Sequence, residues 1–314
     1  MKHLCRVLMC LGLAALAGCA SPPPLPVDPM PDPVLVQLTS SAEAAFAVGA
    51  YDRAARFYSL ALARARTADD GREVGKQAYN QAACLLLAQR PAEAQRALAE
   101  ASGEFARQRM DLGSVWLLEA RAARLLGQTN AAAAAIAKVV ESATPRDVQA
   151  QAWLLHGQMA ADAGDAKAAA AGLSRARHLQ TGDPALRAGV AALAGRLALL
   201  EGRARDAGLE YDKETTFMQQ ARRYRDMAQA LTRAGQAWSQ VPDAEAAALR
   251  FYRAGRSWQG QGELVPALQA VEQAVAFAGQ AGNAALASEI AALFEEIRSA
   301  SGVAVLAPAP AVAE

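Results

Sequence analysis

Few residues in this sequence are of a type that does covalent or metal chemistry. The 314-residue chain has four cysteines and three histidines. Cys5, Cys10 and His3 fall in an apolar leader, which leaves Cys19, Cys84, His156 and His178. Two histidines with no Asp, Glu or Cys at ligand spacing do not make a metal site. His156 is expected as a partly buried helix residue, and His178 as a complement to a helix C-terminus. Cys84 lies in the apolar run 82–88 and reads as a small core residue without a disulfide partner. The carboxylate pairs Asp69-Asp70 and Glu295-Glu296 fall on turns or exposed helix faces, where solvation is the expected role. The glycines punctuate helices and do not form a phosphate loop; no nucleophile elbow, His-Glu-x-x-His or calcium loop occurs. No catalytic residue, cofactor or metal is assigned, and the chain reads as non-enzymatic.

Cys19 is different. Lys2 and Arg6 precede an apolar stretch, 7–17, too short for a comfortable membrane span. Leu16-Ala17-Gly18-Cys19 closes it. This order of charge, apolar core and Leu-Ala-Gly-Cys resembles the lipobox of bacterial lipoproteins. The resemblance implies cleavage before Cys19, a lipid on its thiol (with palmitate among the expected acyl chains) and a membrane anchor. Ala20 and Ser21 after the cysteine, read by analogy with Gram-negative sorting, imply the outer membrane and a periplasm-facing domain. Residues 1–18 are then a signal peptide. Residues 19–37, with proline at 22, 23, 24, 26, 29, 31 and 33, read as an extended tether.

Removing residues 1–18 takes two of the 32 basic residues and leaves 31 acidic ones, a net charge of −1 that argues against a nucleic-acid partner. Alanine supplies 81 residues of the 314. It is the best helix former, and strand formers are sparse, so the expected class is all-α. Alanine buries little area, so many helices must approach closely to make a core. Small residues recur in pairs twelve apart: Ala42/Ala54, Ala82/Ala94, Ala120/Ala132, Gly157/Ala169, Gly195/Ala207 and Gly235/Ala247. A turn signal separates each pair: Gly49, Arg90-Pro91, Gly127, Gly164-Asp165, Gly202 and Pro242-Asp243. The second members step by 37–40 residues, and seven residues beyond them come Ala61, Ala101, Val139, Ala176, Glu214 and Ala254. Helix, reversal, helix is the mechanical reading, with the small residues where two backbones cross.

The motifs Gly49-Ala50-Tyr51-Asp52-Arg53-Ala54 and Gly164-Asp165-Ala166-Lys167-Ala168-Ala169, with Trp116 and Trp153 four before a small residue, resemble tetratricopeptide (TPR) repeats. The resemblance implies a TPR-like helical-hairpin solenoid of about seven helix pairs over 38–300, followed by a disordered tail, 301–314. The 37–40-residue period exceeds the family's 34 and is explained by longer helices, with a HEAT-like array as the alternative. Val139 and Glu214 depart from the small residue expected at their positions. Helices are placed at 38–48, 51–67, 73–89, 91–107, 110–126, 129–142, 146–163, 166–180, 185–201, 204–221, 224–240, 243–260, 264–279 and 284–299.

In that family the first helices of the pairs line a concave surface that holds peptides. Carried onto this sequence, the candidate groove comprises Tyr79, Arg121, Arg124, Leu154, Gln158, Arg196 and Gln236, with Ala83, Leu117, Ala192 and Thr232 in the wider set. Solvated helix faces are the plain alternative. Arg222, Arg223 and Arg225 around Tyr224 read either as an anion-facing cluster or as helix-end charges. The expected function is a lipid-anchored adaptor that binds a periplasmic protein or peptide for pilus, outer-membrane or cell-wall assembly. A peptidoglycan-acting enzyme module, or a regulator of such an enzyme, is the alternative. Cys19→Ala should leave an intact helical domain in the soluble fraction after cell fractionation; partition with membranes like the parent's would contradict lipid anchoring.

Overall fold

A computed structural model describes residues 32–301. The expected signal peptide, Cys19, most of the expected tether and the expected tail lie outside them. The described residues form fourteen α-helices and no strand. In chain order they are α1 Pro33–Ala47, α2 Tyr51–Thr67, α3 Gly71–Leu87, α4 Pro91–Arg107, α5 Gly113–Leu125, α6 Thr129–Glu141 and α7 Arg146–Asp162. There follow α8 Ala166–Leu179, α9 Pro184–Leu200, α10 Ala204–Gln220, α11 Tyr224–Trp238, α12 Ala244–Gly260, α13 Leu264–Ala281 and α14 Ala284–Ser301. Each odd helix packs on the even helix after it, giving seven antiparallel hairpins. Second helices begin 37 to 40 residues apart, which is the period of the small-residue pairs.

Local chemistry sets the helix ends. Gly49, Gly127, Gly164, Gly202 and Gly282 take positive φ where a helix must stop. Gln89, Asp69, Arg109 and Arg222 do the same without being glycine, at a cost of about 1–2 kcal/mol each. Asp70, Asp165 and Asp243 each accept a backbone N–H three residues on, capping α3, α8 and α12. The first helix starts earlier than the apolar pattern indicates. Asp32 accepts from the N–H groups of Val34 and Leu35, and Pro33 stands at the first helical position, where its missing N–H costs nothing. Residues 33–37 are therefore helix and not tether, and α14 likewise extends into Ser301.

The core is a chain of local clusters, each spanning three to five consecutive helices. Ala42, Ala54, Ala82, Ala94, Ala120, Ala132, Ala169, Ala207 and Ala247 are each 0% exposed. Where alanine is still too large, glycine stands. A Cβ built on Gly172 of α8 would lie 2.7 Å from Gly157 Cα and 2.8 Å from Gly157 N on α7, so backbone meets backbone there. Elsewhere a glycine receives an aromatic ring from the next helix: Phe105 on Gly75, Tyr211 on Gly195, Trp238 on Gly208 and Phe251 on Gly235. Rings concentrate buried area where alanine supplies little.

Polar bonds repeat with the same period. Arg90–Asp52, Arg124–Asp162, Arg250–Asp212, Arg225–Glu263 and Asn283–Glu245 each join residues 38 apart, equivalent places on neighbouring hairpins. Most are exposed and contribute little energy individually, but they hold the stacking register.

Two alanine substitutions separate packing from propensity. Gly172→Ala gains about 1 kcal/mol of helix propensity but forces two backbones apart, and a net loss of about 2 kcal/mol is expected. Gly103, mid-α4, would meet only the Arg107 side chain, at 3.7 Å or more. Gly103→Ala should therefore stabilise by up to about 1 kcal/mol. Denaturant midpoints of the two variants check the contrast; equal shifts in one direction would refute it.

Candidate binding surface

The odd-numbered helices line one face of the stack. In its middle they touch: α3 packs on α5, α5 on α7 and α7 on α9.

The residues singled out in the sequence fall into three groups. Tyr79 and Arg121 share the central face. Tyr79 stacks on Phe105, ring centroids 6.4 Å apart. Burial raises its phenol pKa. Arg121 donates from Nη2 to Gln151 Oε1 at 2.8 Å. Solvent reaches its guanidinium, yet the surrounding protein, with Arg223 adding to the effect, pulls its pKa below the usual arginine value. An exposed arginine that lacks a carboxylate partner among the described residues is well suited to an anionic ligand.

Arg124 and Arg196 are occupied. Both bind Asp162 at the end of α7, Arg124 Nη2 at 2.6 Å, which ties α5, α7 and α9 together across the face. Asp162 escaped the sequence reading, although its place 38 residues after Arg124 was there to be seen. Leu154 is not a groove residue. It is 9% exposed, it belongs to the α7–α9 core, and its side chain fills the space beside Gly189. Direct contact between α7 and α9 closes over it. Leu117, 5% exposed, is buried for the same reason. Gln158 and Ala192 are half-buried on α7 and α9, and Ala83 on α3.

Gln236 and Thr232 lie further along, where α11 and α13 stand apart. They help to line a concavity of about 690 Å³. Gln229 and Gln236 of α11 and Gln269 and Gln273 of α13 form its walls; Phe251 and Trp258 of α12 form its floor. Side-chain amides there offer donors and acceptors to an extended backbone, and the rings beneath them are almost fully buried. A second concavity, about 940 Å³, opens between α1 and α3.

Arg233, on the wall of the α11–α13 concavity, anchors a buried ion pair. Its Nη2 lies 2.5 Å from Oε1 of Glu214, a carboxylate 2% exposed on α10, and its cation stands 5.9 Å from the Tyr211 ring centroid. Glu214 thus departs from the small-residue pattern by burying a charge with its partner supplied by the next helix. Burial raises its pKa despite Arg233. Two arginines of the 222–225 cluster are similarly committed: Arg223 pairs with Asp226, and Arg225 pairs with Glu263 while standing 5.7 Å from the Trp258 ring centroid. Cys84 is 1% exposed and burial pushes its thiol up to about 11, so the thiolate is scarce at neutral pH. His156 sits beside Trp153, ring centroids 5.6 Å apart. Among the described residues no three His, Cys, Asp or Glu side chains gather as metal ligands, and no helix is long and apolar enough to cross a membrane.

No protein-family model matches the sequence, and no curated protein matches it. Solved structures do. A chain of the APC/C hetero-tetramer Cut9–Hcn1 matches with a TM-score of 0.52 and 14% identity, over 85% of this chain and 49% of that one. The fold is a TPR-like helical-hairpin solenoid. The solenoid spans about half the length of the chain it matches there. A TPR repeat-containing protein from Cytophaga hutchinsonii gives a TM-score of 0.47 at 12% identity, covering 85% of this chain and 100% of that one. A tetratricopeptide repeat protein from Parabacteroides merdae gives 0.42 at 12% identity, covering 84% and 98%.

The Glu214–Arg233 pair carries a pH signature. A carboxyl whose folded pKa is raised contributes stability in its protonated form, fully present below the unfolded value and lost as pH rises through the folded one. At neutral pH ionised Glu214 is therefore a cost that Arg233 offsets. Arg233→Ala should destabilise by about 3 kcal/mol at neutral pH, the low end of the range for a broken buried pair because Arg233 is 38% exposed. The deficit should shrink as pH falls and Glu214 takes up a proton. Denaturant midpoints measured at neutral and acidic pH test this; a deficit that grows with acid would reverse the assignment.

Proposed function

We propose that this protein is a lipid-anchored, periplasm-facing scaffold that holds a protein or peptide partner for an envelope assembly. The α11–α13 concavity carries the reading. Four glutamine amides over an aromatic floor suit the recognition of polypeptide backbone, and the solenoid keeps that surface open to solvent. One solved structure that it resembles belongs to a hetero-tetramer, the kind of setting expected for such a scaffold. The Leu-Ala-Gly-Cys19 segment supports the address: lipid on Cys19 fixes the chain to a membrane, and the proline-rich stretch after it spaces the solenoid from the bilayer. Outer-membrane placement follows from Ala20 and Ser21 if the host is Gram-negative. Pilus, outer-membrane and cell-wall machinery are the candidate assemblies.

In-cell photocrosslinking tests this reading. A photoreactive residue at Gln236 or Gln273 should crosslink a discrete envelope protein, whereas one at Arg253, exposed on α12, should not. Equal crosslinking from all three positions, or none from the concavity, would contradict it. Turnover of peptidoglycan fragments by the purified chain would favour an enzyme instead.

A further inference from the structure

The concavity between α1 and α3 differs in chemistry from the one between α11 and α13. Its wall carries five carboxylates and one basic residue, Arg72. Some of that charge is spent within the fold. Asp32 pairs with Arg64, and Glu73 with Lys76. Asp70 caps α3, whose N-terminal dipole it and Glu73 offset. Glu43 of α1 and Asp69 of the α2–α3 turn have no ion-pair partner among the described residues, and negative charge still prevails when Arg64 and Lys76 are counted.

A second observation is independent of charge. Gln77 forms part of this wall and is 3% exposed. Its Nε2 donates to Glu73 Oε2 at 3.0 Å, which fixes the orientation of the amide. Its Oε1 then has no donor among the described residues. A buried acceptor left unmatched is costly, so natural folds rarely keep one without a use. The missing group is a hydrogen-bond donor, and the surrounding negative field favours a positively charged one.

We infer that the α1–α3 concavity is a binding site for a basic polypeptide segment, with an arginine or lysine side chain placed between Glu43, Asp69 and the Gln77 amide oxygen. The volume, about 940 Å³, accommodates several residues of extended chain and not only one cationic head. The charge points away from an anionic ligand, and the site lies at the opposite end of the solenoid from the glutamine-lined concavity. The two ends thus carry different recognition chemistries. This inference stands apart from the membrane address, since it concerns only side chains of the solenoid.

The test uses the full chain carrying Cys19→Ala and the probe peptide acetyl-Gly-Arg-Arg-Gly-amide. Its control has citrulline for arginine, which keeps shape and removes charge. Saturable binding of the arginine peptide is expected by NMR titration, with shifts confined to amides around Thr39, Asp69 and Gln77. The citrulline peptide should bind at least about tenfold more weakly. Glu43→Gln with Asp69→Asn, both exposed and harmless to the fold, should weaken binding about three- to tenfold. Gln77→Met removes the unmatched acceptor with little change of volume. It should unfold at the same or a higher denaturant concentration than the parent while binding several-fold more weakly. No saturable binding, equal affinity for the citrulline peptide, parent-like affinity in either variant, or shifts centred on Gln236 would each overturn the site.

Discussion

Close approach of helix backbones is the constraint on which the rest of this structure depends. Gly172 and Gly157 show its limit, since there is no room for a Cβ between them. The fully buried alanines extend the same contact through most of the hairpins. An alanine-rich chain buries little area per residue and compensates by packing density and by rings seated on glycine. Such contacts are short-ranged, so the core breaks into local clusters and each hairpin is supported by its neighbours. The 37–40-residue period follows from the same geometry, because helices of mostly 13–18 residues are needed to gather enough of these contacts.

The surface chemistry follows from how that approach varies along the stack. In the centre α3, α5, α7 and α9 lie against one another, which buries Leu117 and Leu154 and leaves the face to be tied by Arg124, Asp162 and Arg196. Where α1 parts from α3, and α11 from α13, the same face opens into concavities with distinct linings. A stack of equivalent hairpins thereby offers unlike sites without any change of architecture. Arg233 links the two levels: it holds a buried carboxylate and also borders the glutamine-lined concavity, so occupation there and stability of the α10–α11 contact share one residue.

Much of this was legible in the sequence, for physical reasons. Small residues twelve apart with a turn between them define a hairpin, because two helices that cross closely tolerate little else at the crossing. Glycine marks most turns, because positive φ is cheap only there. Other features were not legible. Asp32 and Pro33 start α1 by capping, which an apolar pattern does not register. Gln89 and Arg222 take positive φ without announcing it. Leu154, like Leu117 one repeat earlier, is buried by the direct packing of first helices in the middle of the stack, which a repeat pattern does not register. Glu214 looked like a misfit until Arg233, nineteen residues away on the next helix, supplied its charge. The 38-residue spacing of opposite charges was in the sequence throughout and would have located Asp162.

Hydrogen exchange on the full chain tests most directly whether close backbone approach, acting between neighbours, holds the solenoid. A Cβ at Gly255 would collide with Val271 on α13 and sit 3.4 Å from the Ala267 carbonyl. Amide protection in Gly255→Ala should fall in α11–α14 and stay at the parent's level in α3–α7. Protection lost evenly along the chain would show a single cooperative core, and protection unchanged in α12 and α13 would show that the crossing is looser than the structure requires.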